Sequence, residues 1–373
     1  MRVGDKFYFL CLVFLLLIFG LLLSERINLA TADLGRHLKN GEMILQGREV
    51  FRTNFYSYTY PDFPFLNHHW GSGVIFFLVN KFFGFTGLSV FFVCISILTF
   101  WLFFDTARRN SSFGTVFLTS LVLLPVIAYR KEIRPEMFSY LFCGVFLWTL
   151  WRIGRLNGKQ LVILPLLQLL WVNLHVYFFL GPFIIGIFLL KKIIEGKLRE
   201  DMPLGVAFLL SVLICVVNPA GIQGVLQPLR IFANYGYRVL ENQTVFFIDK
   251  VLGNYVPNLY FKIGFGLLAV SWLAALWKKH LSLIGLILTL FVSYLGWTAV
   301  RNFTIFGYFA IPIITANFSL IRPRLLRLTF DEDIRIKFFV LSSAFLILFG
   351  IFALNTGYWT GKKIGWGLEK KVY

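Results

Sequence analysis

Asp33 stands in a polar stretch, Glu25 to His69, that interrupts an otherwise apolar sequence directly after its first apolar run. A carboxylate placed where the chain has just left a bilayer is a candidate proton acceptor for chemistry at the membrane surface. His37 lies one helical turn further on, where it can orient that carboxylate or touch a substrate. The simpler account of Asp33 is a helix N-terminus, with Thr31 or Asp33 as the cap and the dipole favouring the charge. Arg130, Lys131 and Arg134 share a short polar turn with Glu132 and Glu136. Cations in such a turn bind phosphate oxygens; pairing with the two glutamates, or contact with lipid headgroups, accounts for them equally well. His68, His69, His175 and Arg301 sit at the edges of apolar runs and complete the candidate substrate contacts.

The elements that must position these groups are membrane helices. The chain is 58% hydrophobic and 14% charged, with Phe supplying 44 of 373 residues, far from the roughly 25% charge of a soluble domain. Apolar runs that approach the roughly 20 residues of a spanning helix occur at Phe7–Leu23, Gly87–Phe104, Phe113–Tyr129, Met137–Trp151, Gln160–Asn173, Val176–Leu190, Leu204–Val217, Leu259–Trp277, Leu281–Thr298, Phe303–Leu320 and Phe338–Leu354. The expectation is an all-α, polytopic bundle of about eleven spans forming one integral membrane domain. Residues 25–86 make an outer loop, 87–354 the remaining spans and 355–373 an outer tail.

The first run exceeds a secretory h-region and no small-residue cleavage site follows, so it reads as a retained helix. The four cysteines lie inside apolar runs, as small hydrophobes do, with no disulfide or metal-ligand spacing. The formal charge of +18 sits largely in short clusters between apolar runs, which is how topology determinants are placed; this argues against a nucleic-acid partner.

Trp70–Phe83 is apolar but carries Gly71, Ser72, Gly73, Asn80 and Lys81. As a helix it would reach only about 20 Å against a core of about 30 Å, so it reads as interfacial. With the N-terminus inside, the inner loops then hold Arg108 and Arg109, Arg152, Arg155 and Lys159, Lys191, Lys192, Lys197 and Arg199, Lys278 and Lys279, and the group Arg322, Arg324, Arg327, Arg335 and Lys337. Short outer turns hold only Arg130, Lys131, Arg134 and Arg301. This parity obeys the positive-inside rule. It gives the outer face the segments Glu25–Thr86, Arg130–Glu136, Leu174–His175 and Asn218–Asn258. In the first of these, a helix-like piece puts Leu34, Leu38 and Leu45 on one side and Asp33, Arg36, His37 and Asn40 on the other, so it should lie along the interface with Asp33 facing water or a cavity. Phe51–Pro64 follows as an aromatic loop suited to lining a lipid-headgroup groove.

An acidic residue after span one, an interfacial helix ending in Phe82-Phe83-Gly84, and Arg134-Pro135-Glu136 about a hundred residues later together resemble the GT-C class of membrane glycosyltransferases. The layout is most similar to the aminoarabinose transferases and protein mannosyltransferases. Trp171-Val172-Asn173-Leu174-His175 and Asn218-Pro219-Ala220-Gly221 also look like landmarks of bacterial sequences grouped with this class. The resemblance covers roughly the first half of the chain, through order and spacing. It implies a GT-C-like fold, a polyprenyl-phosphate-linked sugar as donor, a lipid or glycan acceptor and membrane lipids as partners, at the outer face of a prokaryotic cytoplasmic membrane. It assigns Asp33 the catalytic role and Glu136 the place of the second loop carboxylate. The class often shows an acidic pair in the first loop, whereas here Leu34 follows Asp33; this disfavours a divalent metal and points to metal-independent, inverting transfer with no cofactor. A transporter or flippase for lipid-linked glycans is the competing class, against which stand the lack of an inverted repeat and of matching interrupted helices. A non-catalytic assembly subunit with the same fold is the third.

Overall fold

A computed structural model describes residues 3–29, 33–52, 56–61, 65–152, 158–230, 239–321 and 365–369. Their helices are α1 (Val3–Leu23), α2 (Leu34–Leu45), α3 (Trp70–Arg108), α4 (Phe113–Ile127), α5 (Glu136–Arg152), α6 (Gly158–Leu174), α7 (Leu180–Ile194), α8 (Met202–Ile214), α9 (Ile222–Arg230), α10 (Val245–Leu252), α11 (Val256–Trp277), α12 (Leu283–Thr298) and α13 (Phe303–Leu320). Among the described residues there is no strand, only an isolated bridge between Ile27 and Leu368.

Ten of the eleven apolar runs coincide with helices; the run Phe338–Leu354 and the basic group 322–337 lie outside the described residues. Four stretches are long and apolar enough to cross a bilayer: Trp70–Arg108, Val176–Ile194, Val256–Trp277 and Val300–Leu320. Shorter apolar helices, such as Phe113–Ile127 and Leu283–Thr298, pack beside them. Leu17, Leu21, Leu209, Leu213, Leu273 and Trp277 point outward, an apolar exterior that water would penalise and lipid does not. This is a helical membrane protein. Its hub is α13, apolar on all sides and almost wholly buried against α3, α4, α11 and α12, as a helix without a polar face must be.

Gly84 breaks α3 into segments 70–83 and 85–108. Its φ of 64° and ψ of −170° belong to a region glycine enters freely, and a side chain there would meet open space, so the backbone angle alone demands glycine. The expected separate helix before Gly84 is therefore present.

Asp33 faces water, as expected, with its side chain 63% exposed. The two sides of α2 are not otherwise separated by burial: Leu34 is buried, Leu38 half-buried and Leu45 exposed, while His37 and Asn40 are buried and α2 packs on segment 70–83. The contact is a glycine crossing: a Cβ on Gly41 would overlap the Gly73 carbonyl, whereas one on Gly35 would touch nothing. Gly41→Ala should therefore lower stability by about 1–3 kcal/mol, the scale of overpacking. Gly35→Ala should be neutral or gain up to about 1 kcal/mol from helix propensity. Unfolding midpoints of the two variants in one detergent check this, and equal midpoints would mean the helices do not cross this closely.

Five loops gather at one end of the bundle. Ser72 Oγ donates to the Leu174 carbonyl at 2.6 Å and Trp70 Nε1 to Asn173 Oδ1 at 3.0 Å, tying the first loop to the α6–α7 turn. Arg52 reaches the Pro219 carbonyl, and Val300 N–H donates to the Gln243 carbonyl at 3.1 Å. Residues 365–369 return to the same end, where Gly367 N–H donates to Ser89 Oγ and Trp366 Nε1 to Ser24 Oγ.

Candidate functional site

Two polar clusters meet where these loops converge. The first is a network of arginines and glutamates. Glu136 opens α5, and its Oε1 accepts from Arg130 Nη2 at 2.8 Å and from Arg301 Nη2 at 3.0 Å. Arg130 Nη1 also donates to Glu241 Oε2 at 2.7 Å. Arg134 pairs with Glu132 at 2.7 Å and with Glu241 at 3.4 Å, and Arg301 Nη1 donates to Asn242 Oδ1 at 2.9 Å. Three arginines thus face three glutamates in a largely buried setting, where charges need partners. Burial raises the Glu241 carboxyl, but the Arg130 guanidinium overrides it and holds that carboxyl below its usual range. The Nε atoms of Arg130 and Arg301 are buried and make no hydrogen bond among the described residues, so one donor on each remains for a ligand.

The second cluster holds four of the five histidines. His69, the residue before α3, stacks on His175 with ring centroids 5.0 Å apart, meets His68 at 3.8 Å and lies edge-on to His37 at 5.7 Å. His175 closes the turn between α6 and α7, where its Nδ1 accepts from Tyr177 N–H. Burial pushes His37 and His175 down to about 3 and His68 to about 4, so the rings are neutral at pH 7. Tyr177 links the clusters: its ring lies edge-on to His175 at 4.8 Å and its hydroxyl donates to Asn302 Oδ1, beside Arg301, at 2.9 Å. Among the described residues no group of three or more His, Cys, Asp or Glu is arranged to hold a metal ion.

Beside the charged network lies a small cavity bounded by α1, α3, α4, α5 and α13. Its lining combines Arg130, Glu132, Arg134 and Glu136 with apolar groups that include Phe19, Leu23, Phe92 and Met137. In this conformation it has about 10 Å³ of free space, room for about one water.

Of the residues singled out from sequence, His37, His68, His69, His175, Glu136, Arg134 and Arg301 are brought together. Asp33 belongs to neither cluster: its side chain is 63% exposed, with Arg36 at 3.5 Å. It is the residue before α2, in a left-handed conformation with φ 54°, and its side chain makes no capping hydrogen bond; a capping role for Asp33 is thereby removed, and Thr31 lies outside the described residues. Glu241, Ser139 and Tyr177 were not anticipated. Glu241 had only its place in the long 218–258 segment to mark it, and Ser139 looked like any small residue of an apolar helix. Comparison with protein-family models, with curated proteins and with solved structures yields no match to this chain.

Proposed function

We propose that this protein transfers a sugar from a polyprenyl-phosphate donor to a lipid or glycan acceptor at the outer face of a prokaryotic cytoplasmic membrane, in the manner of the GT-C class it resembles. The observation that carries the reading is a cavity lined both by Arg130 and Arg134, each paired with a glutamate, and by the apolar side chains of Phe19, Leu23 and Phe92. A lipid phosphate has the same two parts. Its tail would lie along Phe19 and Phe92, and its phosphate would meet Arg130, whose Nε has no partner among the described residues, with Arg134 exchanging a glutamate oxygen for a phosphate oxygen and Arg301 adding charge through the network.

In this reading Asp33 takes the proton of the acceptor hydroxyl as that oxygen attacks the anomeric carbon, and the arginines neutralise the departing phosphate. Two features of Asp33 support it: the carboxylate is open to solvent-borne acceptors, and a non-glycine residue in the left-handed region often marks a functional position. The histidines and Glu136 line the donor side. No metal enters the scheme.

Turnover of a polyprenyl-phosphate sugar by the purified protein tests the reading. Arg134→Ala should slow donor turnover, and Arg134→Lys should recover only part of the loss, because an ammonium lacks the two-pronged fork. Arg301→Ala serves for comparison. Wild-type kinetics for Arg134→Ala would exclude its phosphate contact, and a loss confined to Arg301→Ala would move the phosphate to that side chain. Movement of the donor between leaflets without transfer would favour the flippase class.

A further inference from the structure

We infer that the hydrogen bonds around the histidine cluster preset two opposite ring forms, His175 as a donor through Nε2–H and His68 as an acceptor through Nε2, and that together they take a neutral, hydroxyl-bearing sugar ring. The identity of the ligand as a sugar rests on the transferase reading; the ring forms do not.

At His175 the proton count closes. Trp171 Nε1 can only donate, and its partner at 2.7 Å is Ser139 Oγ. Ser139 Oγ keeps its own hydrogen to give, and its other neighbour is His175 Nδ1, also at 2.7 Å; the direction is set by the Tyr177 N–H, which needs the same nitrogen as an acceptor. Tyr177 N–H points at the same nitrogen from 3.4 Å. Two donors on Nδ1 leave it no proton, so the neutral ring carries its hydrogen on Nε2. Ser139 and Trp171 are fully buried and His175 nearly so, which keeps water from competing. Ser139 is in this sense a positioning residue.

At His68 the count runs the other way. Its Nδ1 lies 3.1 Å from the Leu66 carbonyl, which can only accept, so Nδ1 holds the hydrogen and Nε2 is a bare lone pair. That nitrogen is buried and has no partner among the described residues. An unmet acceptor of this kind costs on the order of 1–3 kcal/mol, a deficit that a ligand donor would remove. His69 touches both rings, and its own Nδ1 is buried with no hydrogen-bond partner among the described residues.

The pair of forms selects the ligand. A fully ionised phosphate only accepts and would leave His68 unmet, and a cation would face the Nε2–H of His175. Hydroxyl groups both donate and accept, and a sugar ring carries several, so a sugar supplies what each nitrogen needs.

The test is nitrogen NMR on the full chain in lipid nanodiscs with ring-labelled histidine, the two signals being assigned by their loss in His68→Gln and His175→Gln. The wild type should show a protonated Nε2 and bare Nδ1 at His175, and the reverse at His68. Ser139→Ala should turn the His175 pattern into a mixture of forms, and Trp171→Phe, which leaves the serine in place, should do so more weakly. Dodecyl glucoside should shift both Nε2 signals, while dodecyl phosphate at equal concentration should leave His68 Nε2 unmoved. A protonated Nδ1 at His175, a protonated Nε2 at His68, or a glucoside that moves neither signal would overturn the inference. Binding of the glucoside by a protein that turns over no lipid-linked sugar would instead count against the transferase reading alone.

Discussion

Glu136→Gln should cost about 3–5 kcal/mol of stability, the scale of breaking a buried ion pair by removing one partner. One oxygen of this carboxylate holds both Arg130 and Arg301, and the side chain is only 6% exposed. The amide keeps the shape but loses the charge, leaving two guanidinium groups with Glu241 as the remaining carboxylate they both reach. Because Arg130 leads into α5 and Arg301 leads into α13, the loss should loosen the end of the bundle where the five loops meet. Glu132→Gln provides the contrast: that carboxylate is 36% exposed and pairs with Arg134, so its removal should cost only about 0–1 kcal/mol. Denaturation of the two variants in one detergent decides between them. If they lost the same amount, the network would not be what joins the α4–α5 turn to residue 301.

Asp33→Asn should leave stability nearly unchanged while reducing sugar transfer by a factor of about a hundred or more, the scale of a lost general base. Stability is spared because the carboxylate is mostly exposed, caps nothing and meets Arg36 only at 3.5 Å, a pair worth about 1 kcal/mol or less. The backbone is spared as well, since Asn tolerates the left-handed conformation as readily as Asp. A hundredfold loss corresponds to about 2.7 kcal/mol of barrier, well above what the lost ion pair could supply. Initial rates at saturating donor, measured beside the unfolding midpoint, separate the two effects. Equal rates for mutant and wild type would remove Asp33 from the mechanism.

The local elements of this fold were legible because each is specified within one stretch of chain. Apolar runs marked ten helices at nearly their observed places, the glycine after Phe83 marked the break in α3, and the polar interruption at His175 marked the tight turn between α6 and α7. Hydropathy and backbone preference are properties of neighbouring residues, so a sequence displays them directly. The parity assumed for the loops also agrees with the contacts, which bring the loops around residues 70, 130, 175, 241 and 301 to one end.

What the sequence could not decide was which polar groups would meet and which way α2 would turn. The periodicity of α2 separated Leu34, Leu38 and Leu45 from Asp33, Arg36, His37 and Asn40, but packing divides them otherwise: Leu34, His37 and Asn40 are all buried, while Asp33 and Leu45 are exposed. In the same way the pairing of Arg130 and Arg134 with Glu132 and Glu136 could be read from their shared turn, whereas Glu241, more than a hundred positions away, is brought against them only by the fold. The ring form of His175 depends on a serine in α5 and a tryptophan in α6. Such pairings are set by the crossing of helices, a matter of side-chain volume and close backbone approach such as that of Gly41 to Gly73. Sequence spacing carries no record of it, so the residue types of the site belonged to the sequence and their charge balance and proton placement to the packing.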